Sequence, residues 1–291
     1  MASMSYDRHC AEIVAQTALL STRLSDADLS APVPTCPGWT LAQLVRHLGG
    51  AHRWVDTIVR TRATDPVPDD LVNDVTGYAD VDAAALGAWL TEGAEQLADV
   101  LRTTGPDTAV WTVAPGGTPA FWARRMTHET VVHRADAAFA TARSPAGPAP
   151  ANRPFAVVED VALDALDEWM SFGSLPVVLE PRPRICAFMG AGHSLRFQAT
   201  DATPEAAADW LIGLEADALT WHRPPAGTLA TQATTTVRGA LSDLLLLVYG
   251  RLPTRGPIPG PVGAHTGPVE ITGDLDLLDA WLDAVSFWLK E

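Results

Sequence analysis

Residues 127–137 read THETVVHRADA, with Glu129 and His133 four apart in a stretch of helical character. On a helix that spacing puts both side chains on one face, one turn from each other. Extending the row at steps of three and four collects Trp122, Met126, Glu129, His133, Ala137 and Ala140. Four of these six are apolar, so a carboxylate and an imidazole stand in the middle of a stripe that should be buried, with His128 pointing well away from it. Glu–His pairs at this spacing also occur on exposed helix faces, but the flanking Trp122 and Met126 argue against one here. A buried carboxylate without a partner costs several kcal/mol and needs a positive charge beside it. An arginine from another helix would serve. A divalent metal is the sharper answer, because Glu and His four apart aim an oxygen and a nitrogen at one point.

Catalytic zinc sites usually take three protein ligands and keep one position open. The third candidate comes from LVRHLGGAHRW, residues 44–54. On a helix His47 lines up with Ala51, Trp54 and Ile58, whereas His52 lines up with Val45, Leu48, Val55 and Val59. Both rows can face inward, so periodicity does not choose between the two histidines. Gly49 and Gly50 each cost about 1 kcal/mol inside a helix, and together they suggest close approach by another backbone or a bulky ligand.

These two segments belong to a run of four amphipathic stretches, at residues 6–24, 40–62, 82–102 and 119–142. The second opens with Thr40 and Gln43 at capping-box spacing, after a Pro37-Gly38 turn. Four such stretches joined by the Pro- and Asp-rich loop 64–70 and the APGG turn 114–117 are what a four-helix bundle requires. SPAGPAPANR at 144–153 has no periodicity and reads as a linker. The expected domains are therefore a bundle over 1–143 and a smaller domain over 152–291. In the latter, a helix near 155–172 precedes the strand-like runs SLRFQA, DWLIGL, ALTWHR and TQATTTV. An apolar helix ALSDLLLLVYG, a strand PVEIT and a last helix LLDAWLDAVSFWL follow. The fold class expected is α+β.

Composition narrows the function. The 291 residues are 47% hydrophobic and 19% charged, with a net charge of −15 and a single lysine, Lys290. That balance argues against nucleic acid and anionic membrane as partners, since phosphate binding needs clustered Lys and Arg. No apolar run reaches the roughly 18 residues of a spanning helix. The first residues, MASMSYDRHC, lack the pattern of a signal peptide. Three cysteines without a C-x-x-C pattern argue against a disulfide framework and for a reducing, cytoplasmic setting. No GxGxxG, Walker A or GxSxG motif is present.

CPGWTLAQLVRHLGGAHRW (36–54), followed by FWARRMTHETVVHRADA (121–137), resembles the mycothiol-dependent maleylpyruvate isomerase family, within the DinB-like metal-binding four-helix bundles. VRGALSDLLLLVYGRLP (237–253) and VEITGDLDLLDAWL (269–282) resemble that family's C-terminal domain, which is related to sterol-carrier-like α+β folds. The resemblance implies a divalent metal, zinc foremost, held by His47, Glu129 and His133. His52 then becomes a pocket or catalytic residue. It also implies a catalytic arginine from the second domain, which the YGR motif places at Arg251 ahead of Arg238. Arg251 would alternatively complement a helix C-terminus, and Cys36 would pack as a small hydrophobe. The implied activity is isomerisation of a small unsaturated substrate, or thiol transfer to an electrophile, with mycothiol or another low-molecular-weight thiol as co-reactant. A metal–water hydrolase, a thiol-independent tailoring enzyme and a non-catalytic binder of hydrophobic ligands remain as alternatives. The expected assembly is a monomer or homodimer.

Overall fold

A computed structural model describes residues 4–73, 82–142, 155–180, 183–225, 232–255 and 269–289. The chain divides into two compact units, one running to Phe155 and the other beginning at Ala156. The linker 144–153 read from composition lies outside the described residues.

The first unit is a bundle of four long helices: α1 (Tyr6–Ser21), α2 (Leu41–Thr61), α4 (Ala83–Thr104) and α5 (Pro119–Thr141), with a short α3 (Asp70–Asn73) between α2 and α4. Local signals account for their starts. Ser5 caps α1, and Asp82 caps α4 through the amides of Ala84 and Ala85. Thr40 and Gln43 form the reciprocal capping box on α2. Thr118 makes no side-chain cap on α5, but Pro119 sits at its first turn, where its missing N–H costs nothing. The first segment ends at Ser21 rather than Leu24, and residues 22–26 form turns.

Interior side chains form two clusters. Ile13, Val55, Ile58, Leu97 and Trp122 belong to one; Leu20, Leu41, Leu44, Leu48 and Leu90 belong to the other. A turn ahead of α2 folds back on itself, with Val33 N–H donating to Trp39 O and an isolated bridge between Pro32 and Thr40. Gly38 closes this turn at φ 88°, a left-handed conformation that favours glycine.

α5 departs from a simple amphipathic helix. His128 is fully buried even though it lies off the Glu129–His133 row, as are Thr127 and Thr130. The close approach at Gly49 is made by a side chain: a Cβ there would fall 2.1 Å from the Trp89 ring of α4. Arg46 and Arg53 cover that indole at 4.4 and 4.0 Å. Gly49 therefore serves the packing of α2 on α4.

The second unit is α+β. After α6 (Glu159–Gly173), a 3-10 turn (Pro176–Leu179) and α7 (Pro183–Cys186) come β1 (Ser194–Ala199), β2 (Asp209–Leu214), β3 (Leu219–His222), β4 (Thr235–Gly239), α8 (Leu241–Val248), β5 (Val269–Gly273) and α9 (Leu275–Val285). The sheet order is β3-β2-β1-β4-β5, with only the central β1–β4 pair parallel, Phe197 opposite Val237. β1 and β2 coincide with the strands read from sequence; β4 begins at Thr235, later than the TQATTTV run suggested, and α6 begins at Glu159. α6, α8 and α9 pack on the sheet, with Phe197 against Trp281 and Trp169 against Tyr249. No helix among the described residues is long and apolar enough to cross a membrane. Cys10, Cys36 and Cys186 take part in no disulfide.

Candidate metal centre

The row predicted on α5 faces the row of α2 that carries His47. Ligand atoms of His47, Glu129 and His133 all lie within 4.8 Å of one another. Glu129 Oε1 is 2.9 Å from His133 Nε2 and 3.8 Å from His47 Nε2. Tetrahedral zinc with bonds of about 2.0–2.1 Å sets its ligand atoms roughly 3.3 Å apart, and the two distances bracket that value. Two nitrogens and one carboxylate oxygen also match the donor types zinc accepts. Both imidazoles are nearly buried, whereas the Glu129 side chain keeps 20% of its exposure, so the cluster is not sealed.

Glu129 already has the arginine that its burial demanded, and the arginine comes from its own helix. Arg125, one turn earlier, reaches Oε2 at 2.5 Å. Burial pushes the carboxyl upward, but the Arg125 charge and the bonds from His133 and His47 outweigh it and hold the group well below the usual carboxylate range. Because Arg125 occupies Oε2, Oε1 is the oxygen turned toward the two imidazoles.

His133 stands between two carboxylates. Its Nδ1 is 2.9 Å from Asp136 Oδ2, and its Nε2 contacts Glu129. Burial disfavours its charged form, yet bonding to Asp136, Cys36 and Glu129 prevails and raises its pKa well above the ordinary value. Asp136 is completely buried. Thr35 Oγ1 donates to its Oδ1 at 2.6 Å, and Cys36 Sγ donates to its Oδ2 at 3.4 Å. Cys36, His133 and Asp136 also bring their ligand atoms within 4.8 Å of one another. There, however, Asp136 is already bonded on both oxygens and shut away from solvent, which leaves no open position for a substrate.

His52 occupies a different place. It is fully buried and its Nε2 lies 3.0 Å from Thr130 Oγ1. The Thr130 hydroxyl donates to Met126 O at 2.7 Å, so it accepts from His52, and the His52 hydrogen resides on Nε2. Nδ1 is buried with no hydrogen-bond partner. Burial, seconded by the Arg53 charge, pushes this imidazole down to about 3, so it is neutral near pH 7. It ties α2 to α5.

Arg251 lies in the second unit just beyond α8. Gly250 turns there at φ 71°, the Arg251 amide donates to Leu246 O at 2.7 Å, and its guanidinium donates to Tyr249 O at 2.9 Å. Arg238 is an exposed residue of β4. Sequence reasoning missed Asp136 and Thr35. The available signal was the His133–Asp136 spacing of three, which continues the polar row by one more step.

The family model described as the mycothiol maleylpyruvate isomerase N-terminal domain matches residues 10–138. Among solved structures, the crystal structure of the mycothiol-dependent maleylpyruvate isomerase aligns at a TM-score of 0.53 and 17% identity, covering 90% of this chain and 99% of that one. A histidine-to-alanine mutant of a mycothiol-dependent maleylpyruvate isomerase gives a TM-score of 0.53 at 16% identity, with the same coverage. At these identities the likeness establishes the fold. No curated protein sequence matches the chain.

Proposed function

With residues 10–138 matched to the mycothiol maleylpyruvate isomerase N-terminal domain, we propose that this protein is a metal-dependent enzyme whose metal is held by His47, Glu129 and His133. The reaction is isomerisation of, or thiol addition to, a small unsaturated acid, with a low-molecular-weight thiol such as mycothiol as co-reactant. The observation that carries the reading is the convergence of three ligand-type side chains from two helices inside the matched domain. A bound divalent metal, zinc by donor type, supplies a Lewis acid that favours the deprotonated form of a thiol or water at neutral pH.

Two neutral imidazoles and one carboxylate neutralise only half of a divalent charge, so an anionic group would be drawn to the open side. Arg125 keeps Glu129 ionised and confines it to one free oxygen. Trp39, edge-on to His47 at 4.9 Å between ring centroids, walls that ligand. In the isomerisation, thiolate sulfur bonds to one carbon of a cis double bond conjugated to a carbonyl, and the electron pair moves to oxygen as an enolate. The former double bond then turns as a single bond. Expulsion of the thiolate reforms it as trans, so the thiol is regenerated. Arg251 is the guanidinium proposed to stabilise the enolate oxygen. Its support is the YGR resemblance and the helix-end turn that fixes its backbone.

The test is metal analysis of the purified protein, followed by assay on cis-unsaturated keto acids with and without a small thiol. About one metal per chain, lost in His47→Ala, and turnover that requires thiol are the expected results. Full turnover without thiol, with the metal still bound, would replace this reading with a metal–water reaction.

A further inference from the structure

The geometry points to Asp136 as a positioning residue that fixes which nitrogen His133 offers to the metal, an inference that rests on the metal reading above. An imidazole can bind a metal through either nitrogen, and the hydrogen bond made by the other decides which. Here the two nitrogens face different carboxylates. Nε2 points toward Glu129 Oε1 on the side of His47, and Nδ1 points toward Asp136 Oδ2 at 2.9 Å.

Asp136 is built to hold its place. It sits one turn beyond His133 on α5 with none of its side chain exposed. Both of its oxygens accept hydrogen bonds from the turn ahead of α2: Thr35 on Oδ1 and Cys36 on Oδ2. With the oxygens engaged in this way, the carboxylate cannot swing to ligate a metal itself. It can only accept the Nδ1 hydrogen, which leaves the lone pair on Nε2. The turn that carries Thr35 and Cys36 leads directly into α2, the helix of His47. One segment therefore orients one ligand through Asp136 and delivers another. This also gives Cys36 a task beyond its packing against the cluster of Leu20 and Leu41, as a thiol donor to the carboxylate.

The experiment measures zinc affinity by competition with a chromogenic chelator, together with the 15N chemical shifts of the His133 ring in zinc-loaded protein. In the wild type, His133 should show hydrogen on Nδ1 and zinc on Nε2; the opposite assignment would overturn the proposal without any variant. Asp136→Asn should weaken zinc roughly 10- to 100-fold. The milder pair Thr35→Val and Cys36→Ala, which leaves the carboxylate in place, should weaken it by a smaller factor. Melting temperatures of the metal-free variants separate loss of fold from loss of orientation. Unchanged zinc affinity in both His47→Ala and Glu129→Gln would overturn the metal reading itself. Affinity lost in those two, but within about threefold of wild type in folded Asp136→Asn, would overturn the role of Asp136 alone.

Discussion

Metal uptake should expel a proton, and His133 is its source. In the metal-free protein its ring is 2.9 Å from Asp136 on one side and 2.9 Å from Glu129 on the other. A carboxylate can only accept, so both contacts are satisfied together by the imidazolium form alone. Burial works against that charge, but the two carboxylates and Cys36 win, and the pKa rises well above the ordinary value. Near pH 7 the metal must therefore displace the Nε2 proton. Glu129 has no proton to give, being held well below the usual carboxylate range. Below the folded-state pKa of His133, each pH unit should change affinity about tenfold, or roughly 1.4 kcal/mol. Calorimetric titration with zinc in two buffers of equal pH but different ionisation heat counts the protons. About one proton per metal from His133 is expected at pH 7. The linkage has a second face. A raised His133 pKa stabilises the metal-free fold fully below its unfolded value near 6.5, and that stability fades as pH rises through the folded value. The melting-temperature gain on adding metal should therefore grow with pH. Tight zinc binding at pH 7 with essentially no proton release would refute the doubly bonded imidazolium and the reasoning built on it.

The two histidines of α2 should separate cleanly: His47→Ala removes the metal, whereas His52→Ala retains it. The latter loses about 2–4 kcal/mol of stability from the cavity and the broken Thr130 bond, read by denaturant unfolding alongside metal analysis. Gly49→Ala, a change that normally helps a helix by about 1 kcal/mol, should instead destabilise by roughly 1–3 kcal/mol, because the added carbon meets an indole that Arg46 and Arg53 both cover. A melting temperature at or above wild type would contradict that packing. Arg251→Ala should lower kcat by about 10²–10³ with metal content unchanged; an unaffected kcat would move the role to another arginine such as Arg238 or Arg125.

Much of the bundle was legible because helices advertise themselves by period. Thr40 and Gln43 announced the start of α2, and the capping box is there. Strands β1 and β2 were readable for a related reason: SLRFQA alternates polar and apolar residues, and along DWLIGL, a short apolar run, burial alternates from Asp209 to Leu214. The sheet order was not readable. Pairing β1 parallel to β4 brings together residues some forty apart, and nothing local specifies that neighbour. The start of β4 failed similarly, because a threonine-rich run carries little contrast between its two faces.

At the site, residue spacing alone puts Glu129 and His133 on one face of one helix, since a 3.6-residue repeat is a property of the backbone. It could not choose between His47 and His52. Val45, Leu48, Val55 and Val59 of the His52 row are all buried, and so is Ala51 beside His47; both rows face inward because α2 packs against several neighbours at once. Tertiary structure made the choice, by turning His47 to the carboxylate of α5 and His52 to the hydroxyl of Thr130. It also revealed Asp136, whose meaning depends on Thr35 and Cys36 a hundred residues away in sequence. Periodicity shows which face a side chain occupies; only the packed neighbours decide what that side chain meets.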